Sequence, residues 1–143
     1  MNSINKIEIK NDLKRGRGYV YSLQYHIVWC TKYRKKILEN GLDDEIKNYL
    51  LRLAKEYEFT ILAMEIMPDH VHILVDCKPQ FNIPEMVKLL KSLTSRWFFK
   101  KHPEYHDILW GGHLWNPSYC VVTVSDRSIA QVKEYIYTQK TRP

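Results

Sequence analysis

Before residue 125, apolar residues alternate with polar ones, or recur every three or four positions, in six segments of the chain. Four segments alternate as β-strands do, over residues 19–31, 59–67, 70–76 and 119–124. Two have helical spacing, over residues 43–57 and 82–101. Pro68-Asp69 predicts a tight turn, and so an antiparallel hairpin. The order predicts an α+β fold, the ferredoxin-like or RRM-like split βαβ arrangement, with an antiparallel sheet and helices on one face.

The helical segments each carry an apolar stripe that predicts which side faces the sheet. In the first helix the stripe is Ile46, Tyr49, Leu50, Leu53 and Tyr57. In the second helix, which begins at Asn82 and Pro84, the stripe is Met86, Leu89, Leu90, Leu93 and Trp97.

Two tryptophans lie in the loop before the last strand. Trp110 and Trp115 either stack on bases or cap the core.

A third helix is predicted over residues 128–139, after Ser125-Asp126 as N-cap. Its stripe is Ile129, Val132 and Ile136. Tyr135 and Gln139 are one turn apart and border this stripe, whereas Tyr137 lies on the side expected to face water. Tyr135 with Gln139 is therefore the pair that this helix can present to a site on the sheet, although both also fit a purely structural role at the edge of the core.

The composition adds a basic charge to this picture. The 143 residues fit one domain, predicted over 19–143 and preceded by a basic, flexible arm over 1–18. The net charge of +6 and the pI of about 9.2 favour an anionic partner, with nucleic acid the first candidate and a merely soluble basic protein the alternative.

The spacing of the cysteines and the hydropathy of the chain predict the cellular compartment of the protein. The three cysteines lie far apart in apolar stretches, which predicts core thiols in a reducing compartment and neither disulfides nor thiolate zinc. Because no apolar run approaches the roughly 20 residues of a membrane helix and no signal peptide is visible, we expect a cytoplasmic protein without membrane contact.

Several cations and hydroxyls are candidates to contact DNA phosphates, with ordinary solvated charge as the alternative. They occupy the arm, the segment after the first strand and the polar side of the second helix: Lys14, Arg15, Arg17, Lys32, Arg34, Lys88, Lys91, Ser95 and Arg96.

His70 and His72 are the strongest chemical signal. On a strand their side chains leave the same face. Imidazole is a common metal ligand, so the pair fits a metal site with open positions, although two polar residues on a wetted sheet face fit equally well on spacing alone.

Several of these segments together resemble the conserved motifs of one known protein family. Pro68-Asp69-His70-Val71-His72 resembles the His-hydrophobic-His motif of the HUH endonucleases, and Tyr135 to Gln139 resembles the Tyr-x-x-x-Gln helix of their single-tyrosine transposases. The segments 25–34, 90–95 and 109–119 also look like this family, in the right order. The chain thus resembles transposases of the insertion-sequence two-hundred type, to which the REP-associated tyrosine transposases are close relatives.

The resemblance implies an enzyme that cleaves and rejoins single-stranded DNA at hairpin-bearing element ends. Tyr135 would be the nucleophile and form a 5′-phosphotyrosine, and strand joining would need no nucleotide cofactor. His70, His72 and Gln139 would hold Mg²⁺ or Mn²⁺. It also implies a homodimer with shared active sites, while the sequence leaves open whether Tyr135 acts in its own subunit or its neighbour.

Two other functions are also compatible with the sequence. One is a domesticated relative or replication initiator that nicks DNA with the same residues. The other is a non-catalytic module that binds single-stranded nucleic acid, in which the histidines and Tyr135 are structural.

Overall fold

The computed structural model describes residues 14–16, 19–21, 23–78 and 80–124. Six strands and two α-helices follow in the order β1 Lys14–Gly16, β2 Tyr19–Tyr21, β3 Gln24–Cys30, α1 Leu42–Glu56, β4 Thr60–Met67, β5 His70–Asp76, α2 Ile83–Lys101 and β6 Cys120–Thr123. The third predicted helix, and with it Tyr135 and Gln139, lies outside the described residues, as does Arg17.

The main sheet has the strand order β4-β5-β3-β6, and every pairing in it is antiparallel. With α1 between β3 and β4 and α2 between β5 and β6, this is the predicted ferredoxin-like arrangement. The hairpin predicted at Pro68-Asp69 is also confirmed, since Met67 pairs with His70.

At the N-terminal end of the described residues, Lys14–Gly16 forms a strand that pairs antiparallel with Tyr19–Tyr21. The first predicted strand is accordingly divided into β2 and β3. The flexible arm over residues 1–18 and the domain boundary after it stay predictions. Glycine-rich basic sequence is typical of both mobile arms and hairpin turns, and local pattern does not separate the two.

The helices cover one face of the sheet, where the side chains of alternate strand residues form the core. Ile27 and Trp29 of β3 and Ile73 of β5 are at most 1 % exposed and belong to one buried cluster with Leu50 of α1 and Leu90 of α2. Strand alternation therefore turns His70 and His72 towards the opposite face.

The buried stripe of α2 is rotated from its predicted position. Its buried residues are Met86, Val87, Leu90, Thr94 and Phe98. The predicted Leu89, Leu93 and Trp97 are only partly buried. Of these, Leu93 and Trp97 pack against the edge of the core. Trp97 instead stacks on Tyr49 of α1, with ring centroids 4.6 Å apart. The Thr94 hydroxyl enters the core because it donates to the Leu90 carbonyl oxygen at 2.7 Å.

Trp115 caps this core and does not offer a surface for stacking bases. It is 6 % exposed, its indole N–H donates to Thr94 Oγ1 at 2.8 Å, and its ring meets Trp29 edge to face. The side chain of Trp110 is not among those described.

The three cysteines differ in how deeply they are buried. Cys77 is buried as predicted and Cys30 is partly buried, but the prediction of a core position is wrong for Cys120, which is exposed on the edge strand β6. In the described part of the chain no helix is long and apolar enough to cross a membrane.

Candidate functional site

The sheet face away from the helices carries an unusual density of buried polar side chains. Six residues on this face are at most 8 % exposed: Gln24, His26, Glu65, His70, His72 and Asp76. The cross-strand registers place them side by side, with Glu65 of β4 opposite His72 of β5. Because burying polar groups is costly unless they interact, their concentration on one face marks this face as the candidate site.

A β-bulge sets the composition of this face. The pairing of β4 with β5 shifts by one residue between Ile61 and Ala63. Without that shift Met64 would stand opposite His72, and Glu65 would turn towards the helices. The bulge thus places a carboxylate beside the histidine pair, a feature that residue spacing alone did not reveal.

His70 and His72 lie together as predicted. Their ring centroids are 4.4 Å apart and the planes make an angle of 71°. His26 of β3 stacks on His72 with ring centroids 5.8 Å apart and nearly parallel ring planes. Three imidazoles therefore share one buried patch.

This environment keeps His72 neutral. Burial, together with the smaller effects of the neighbouring His70 and His26, lowers the pKa of His72 from 6.5 to about 3 against an opposing effect of Asp69. Burial also lowers the pKa of His26. A neutral imidazole has a lone pair on one ring nitrogen, which is the form that binds a metal.

His72 should make the stability of the protein fall in mild acid. Its neutral form contributes fully above the unfolded pKa of 6.5, and that contribution is lost as the pH falls towards the folded pKa of about 3. We expect the unfolding free energy to drop by up to about 1 kcal/mol per pH unit from this group, and less steeply in His72→Asn. Urea unfolding at pH 7, 6 and 5 measures both slopes, and equal slopes would refute the assignment.

The pair fits a divalent cation but does not complete a site within the described residues. There, no group of three or more histidine, cysteine or carboxylate side chains is arranged to hold a metal ion. His70 and His72 can supply two nitrogen ligands, so further ligands must come from outside these residues or from water and substrate.

Asp69 adjoins His70 and is a second residue that the motif spacing did not single out. Its Oδ1 accepts from His70 Nδ1, and its Oδ2 accepts from Arg34 Nε at 3.2 Å. Partial burial raises the pKa of Asp69, but the hydrogen bond and charge of His70, together with Arg34, outweigh burial and hold this pKa below its usual value. Asp69 is therefore ionised near neutral pH.

A basic groove lies beside the sheet, between α2 and the loop before β6. It has a volume of about 710 Å³, and its lining includes four of the predicted DNA-contacting residues: Lys32, Lys91, Ser95 and Arg96. His106 and His113 also line it.

The remaining candidates for DNA contact are distributed elsewhere. Lys88 is exposed on α2 outside the groove lining, and Arg34 pairs with Asp69. Lys14 and Arg15 lie on β1.

Lys91 has a structural role within the groove. Its Nζ donates to the carbonyl oxygens of Asn116 at 2.6 Å and Ser118 at 3.2 Å, and burial lowers its pKa. Lys91 thereby fixes the loop that forms one wall. Arg96, by contrast, is exposed and can meet an anion in the groove.

Comparisons with known proteins agree with one another. The sequence matches the family described as "Transposase IS200 like" over residues 19–139. It is 46 % identical over 128 residues to the ISDra2 transposase TnpA of Deinococcus radiodurans, covering 90 % of this chain and 91 % of that protein. It is 24 % identical over 119 residues to the transposase for insertion sequence element IS200 of Salmonella typhimurium, covering 83 % and 78 %.

Two solved structures share the fold. A transposase from Deinococcus radiodurans R1 superposes with a TM-score of 0.74 at 46 % identity, covering 88 % of this chain and 97 % of that chain. A REP-associated tyrosine transposase bound to a REP hairpin superposes with a TM-score of 0.63 at 13 % identity, covering 90 % and 72 %.

Proposed function

The chain belongs to the IS200-like transposase family, and from this premise we propose that it cleaves and rejoins single-stranded DNA through a covalent tyrosine–DNA intermediate. The observation that carries the proposal is the buried pair of His70 and His72, side by side on the sheet face away from the helices.

His70 and His72 would hold Mg²⁺ or Mn²⁺, with Gln139 as a third ligand from outside the described residues. A bound divalent cation would supply positive charge next to a non-bridging oxygen of the scissile phosphate. The low pKa of His72 supports this role, because a neutral ring needs to lose no proton before it binds a metal ion near neutral pH.

Tyr135 would be the nucleophile. Its phenol oxygen attacks phosphorus while its proton passes to a base or to water. The bond between phosphorus and the 3′ oxygen breaks, and that oxygen leaves with the electron pair and takes up a proton as a 3′-hydroxyl. The 5′-phosphotyrosine preserves the energy of the cleaved bond, so a second 3′-hydroxyl can displace Tyr135 and join strands without a nucleotide cofactor.

The basic groove between α2 and the loop before β6 would receive the DNA backbone. Arg96, Lys32 and the hydroxyl of Ser95 line it, and cations of this kind give affinity through phosphate contacts. The REP hairpin bound to the structurally similar transposase supports hairpin-bearing ends as the substrate to test first.

Arg96→Gln should weaken binding of single-stranded DNA and reduce the salt dependence of binding by about one phosphate contact, or about 0.7 in the slope of log K against log salt. Fluorescence anisotropy at several salt concentrations measures both. Lys55→Gln removes the same charge from the exposed side of α1 and should match the wild type. Equal effects of the two substitutions would show that the groove has no special role.

A homodimer is the assembly we propose. Strand β6 pairs with β3 on one side, and among the described strands none lies on its other side. The exposed Val122 on β6 and Tyr119 just before it add apolar surface at this edge. An open edge of this kind can pair with the same strand of a second copy.

The proposal is tested with hairpin-bearing single-stranded DNA labelled at one end. We expect metal-dependent release of a labelled fragment in Mg²⁺ or Mn²⁺ and none in EDTA. Tight binding without cleavage, across several hairpin ends and both metals, would favour the binding module.

A further inference from the structure

Asp69 and Arg34 form a chain of contacts that ends on His70. The two carboxylate oxygens are divided between partners, with Oδ1 on His70 Nδ1 and Oδ2 on the guanidinium. Arg34 reaches Oδ2 with both Nε and Nη2, each at 3.2 Å. The carboxylate is therefore held at both ends and cannot rotate away without losing one partner.

The backbone around this carboxylate is also fixed. Thr31, fully buried at the end of β3, donates its N–H to the Asp69 carbonyl oxygen at 2.9 Å, and Leu38 donates to the Pro68 carbonyl oxygen at 2.9 Å. These bonds join the turn between β4 and β5 to the segment that carries Arg34. That segment keeps Tyr33 and Arg34 at positive φ, 59° and 52°, a conformation that persists only where contacts hold it.

The chemistry of the contact fixes the tautomer of His70. An ionised carboxylate only accepts hydrogen bonds, so Nδ1 of the imidazole must carry the proton. In the neutral ring, which is the form that binds a metal, the lone pair is then on the other nitrogen, Nε2. An imidazole held in this way by a carboxylate is a better metal ligand, because both its orientation and its donor atom are already determined.

We infer that Asp69, held by Arg34, is a positioning residue that fixes His70 with Nδ1 protonated, so that Nε2 is the atom presented to a divalent cation. The inference rests on the metal site of the proposed function. It also assigns the exposed Arg34 an intramolecular role, separate from contact with DNA phosphates.

Titration of metal-free protein with Mn²⁺, followed by electron paramagnetic resonance without DNA, tests this directly. Asp69→Ala should weaken Mn²⁺ binding by about 10- to 100-fold. Asp69→Asn, which keeps an acceptor oxygen, should weaken it less, and Arg34→Met should also weaken it less than Asp69→Ala. The matched control Asp107→Ala removes an exposed carboxylate from the turn after α2 and should bind Mn²⁺ as the wild type does.

A second measurement detects which ring nitrogen of His70 carries the proton, without any metal ion present. In the nitrogen NMR spectrum of metal-free, ¹⁵N-histidine-labelled protein, His70 should show a protonated Nδ1 and a bare Nε2, and Asp69→Ala should shift it to a mixture of tautomers. The His70→Gln spectrum identifies the signal.

The outcomes separate the inference from the proposed function. If the wild type binds Mn²⁺ and Asp69→Ala, folded by circular dichroism, binds it equally well with an unchanged His70 tautomer, Asp69 is not a positioning residue. If the wild type binds no Mn²⁺, the metal site of the proposed function is wrong, and the inference with it.

Discussion

Replacing Tyr135 with phenylalanine is expected to reduce cleavage of single-stranded DNA and formation of the covalent adduct by at least about 10³-fold. The substitution removes only the phenol oxygen, which is the atom proposed to form the bond to phosphorus. Binding of hairpin-bearing DNA should be almost unchanged, because affinity is assigned to the cations of the groove. Denaturing gels and anisotropy measure the two quantities on the same protein.

Tyr137→Phe is the matched control for this prediction. It makes the same chemical change two residues away, on the side of the predicted helix that should face water. Cleavage by Tyr137→Phe should equal that of the wild type. Loss of the adduct in Tyr137→Phe but not in Tyr135→Phe would move the nucleophile and overturn the assignment.

Replacing His72 with alanine is expected to lower metal-dependent cleavage by about 10² to 10³-fold, the scale seen when one group that stabilises developing charge is removed. His72 lies at the centre of the polar face, between His70 and His26 and opposite Glu65. The substitution removes one of the two proposed nitrogen ligands. Mn²⁺ titration should show a parallel loss of affinity, while DNA binding persists.

His102→Ala provides the comparison, since it removes an imidazole on the helix side of the molecule. His102 Nε2 lies 2.8 Å from Glu45 Oε1, so this variant should lose a little stability and retain cleavage. If His102→Ala and His72→Ala reduced cleavage equally, the loss would reflect weakened folding, and the histidine pair would have no specific role.

The ferredoxin-like order and the position of the histidine pair could be predicted because both depend on local periodicity. Strand alternation places His70 and His72 on one face, whatever packs against it. The Asn82 cap and the Pro68-Asp69 turn are likewise local signals, and both are present in the structure.

Other features depend on contacts between distant parts of the chain and could not be predicted. Trp115 is buried because Thr94, 21 positions earlier, accepts its indole N–H. The same threonine helps rotate the buried stripe of α2 from its predicted position. A loop aromatic in isolation is equally compatible with the core and with a base-stacking surface.

In the candidate site too, some features follow from local sequence and others depend on contacts between distant residues. His26 joins the pair through the register of β3 with β5, and Glu65 faces His72 only because of a one-residue bulge. Arg34 and Asp69 are 35 positions apart in sequence. The spacing within the histidine motif therefore indicates the proposed metal ligands, whereas the residues that orient and surround them can be identified only from the tertiary structure.

The most direct test of the account is the polarity of the covalent intermediate. Wild-type protein is incubated with Mg²⁺ or Mn²⁺ and hairpin-bearing single-stranded DNA labelled at the 5′ end or, in a parallel reaction, at the 3′ end. A 5′-phosphotyrosine predicts that only the 3′ label stays with the denatured protein, and that intact mass gives one DNA fragment attached at Tyr135. Retention of the 5′ label, or cleavage without any protein-bound DNA, would contradict the proposed mechanism.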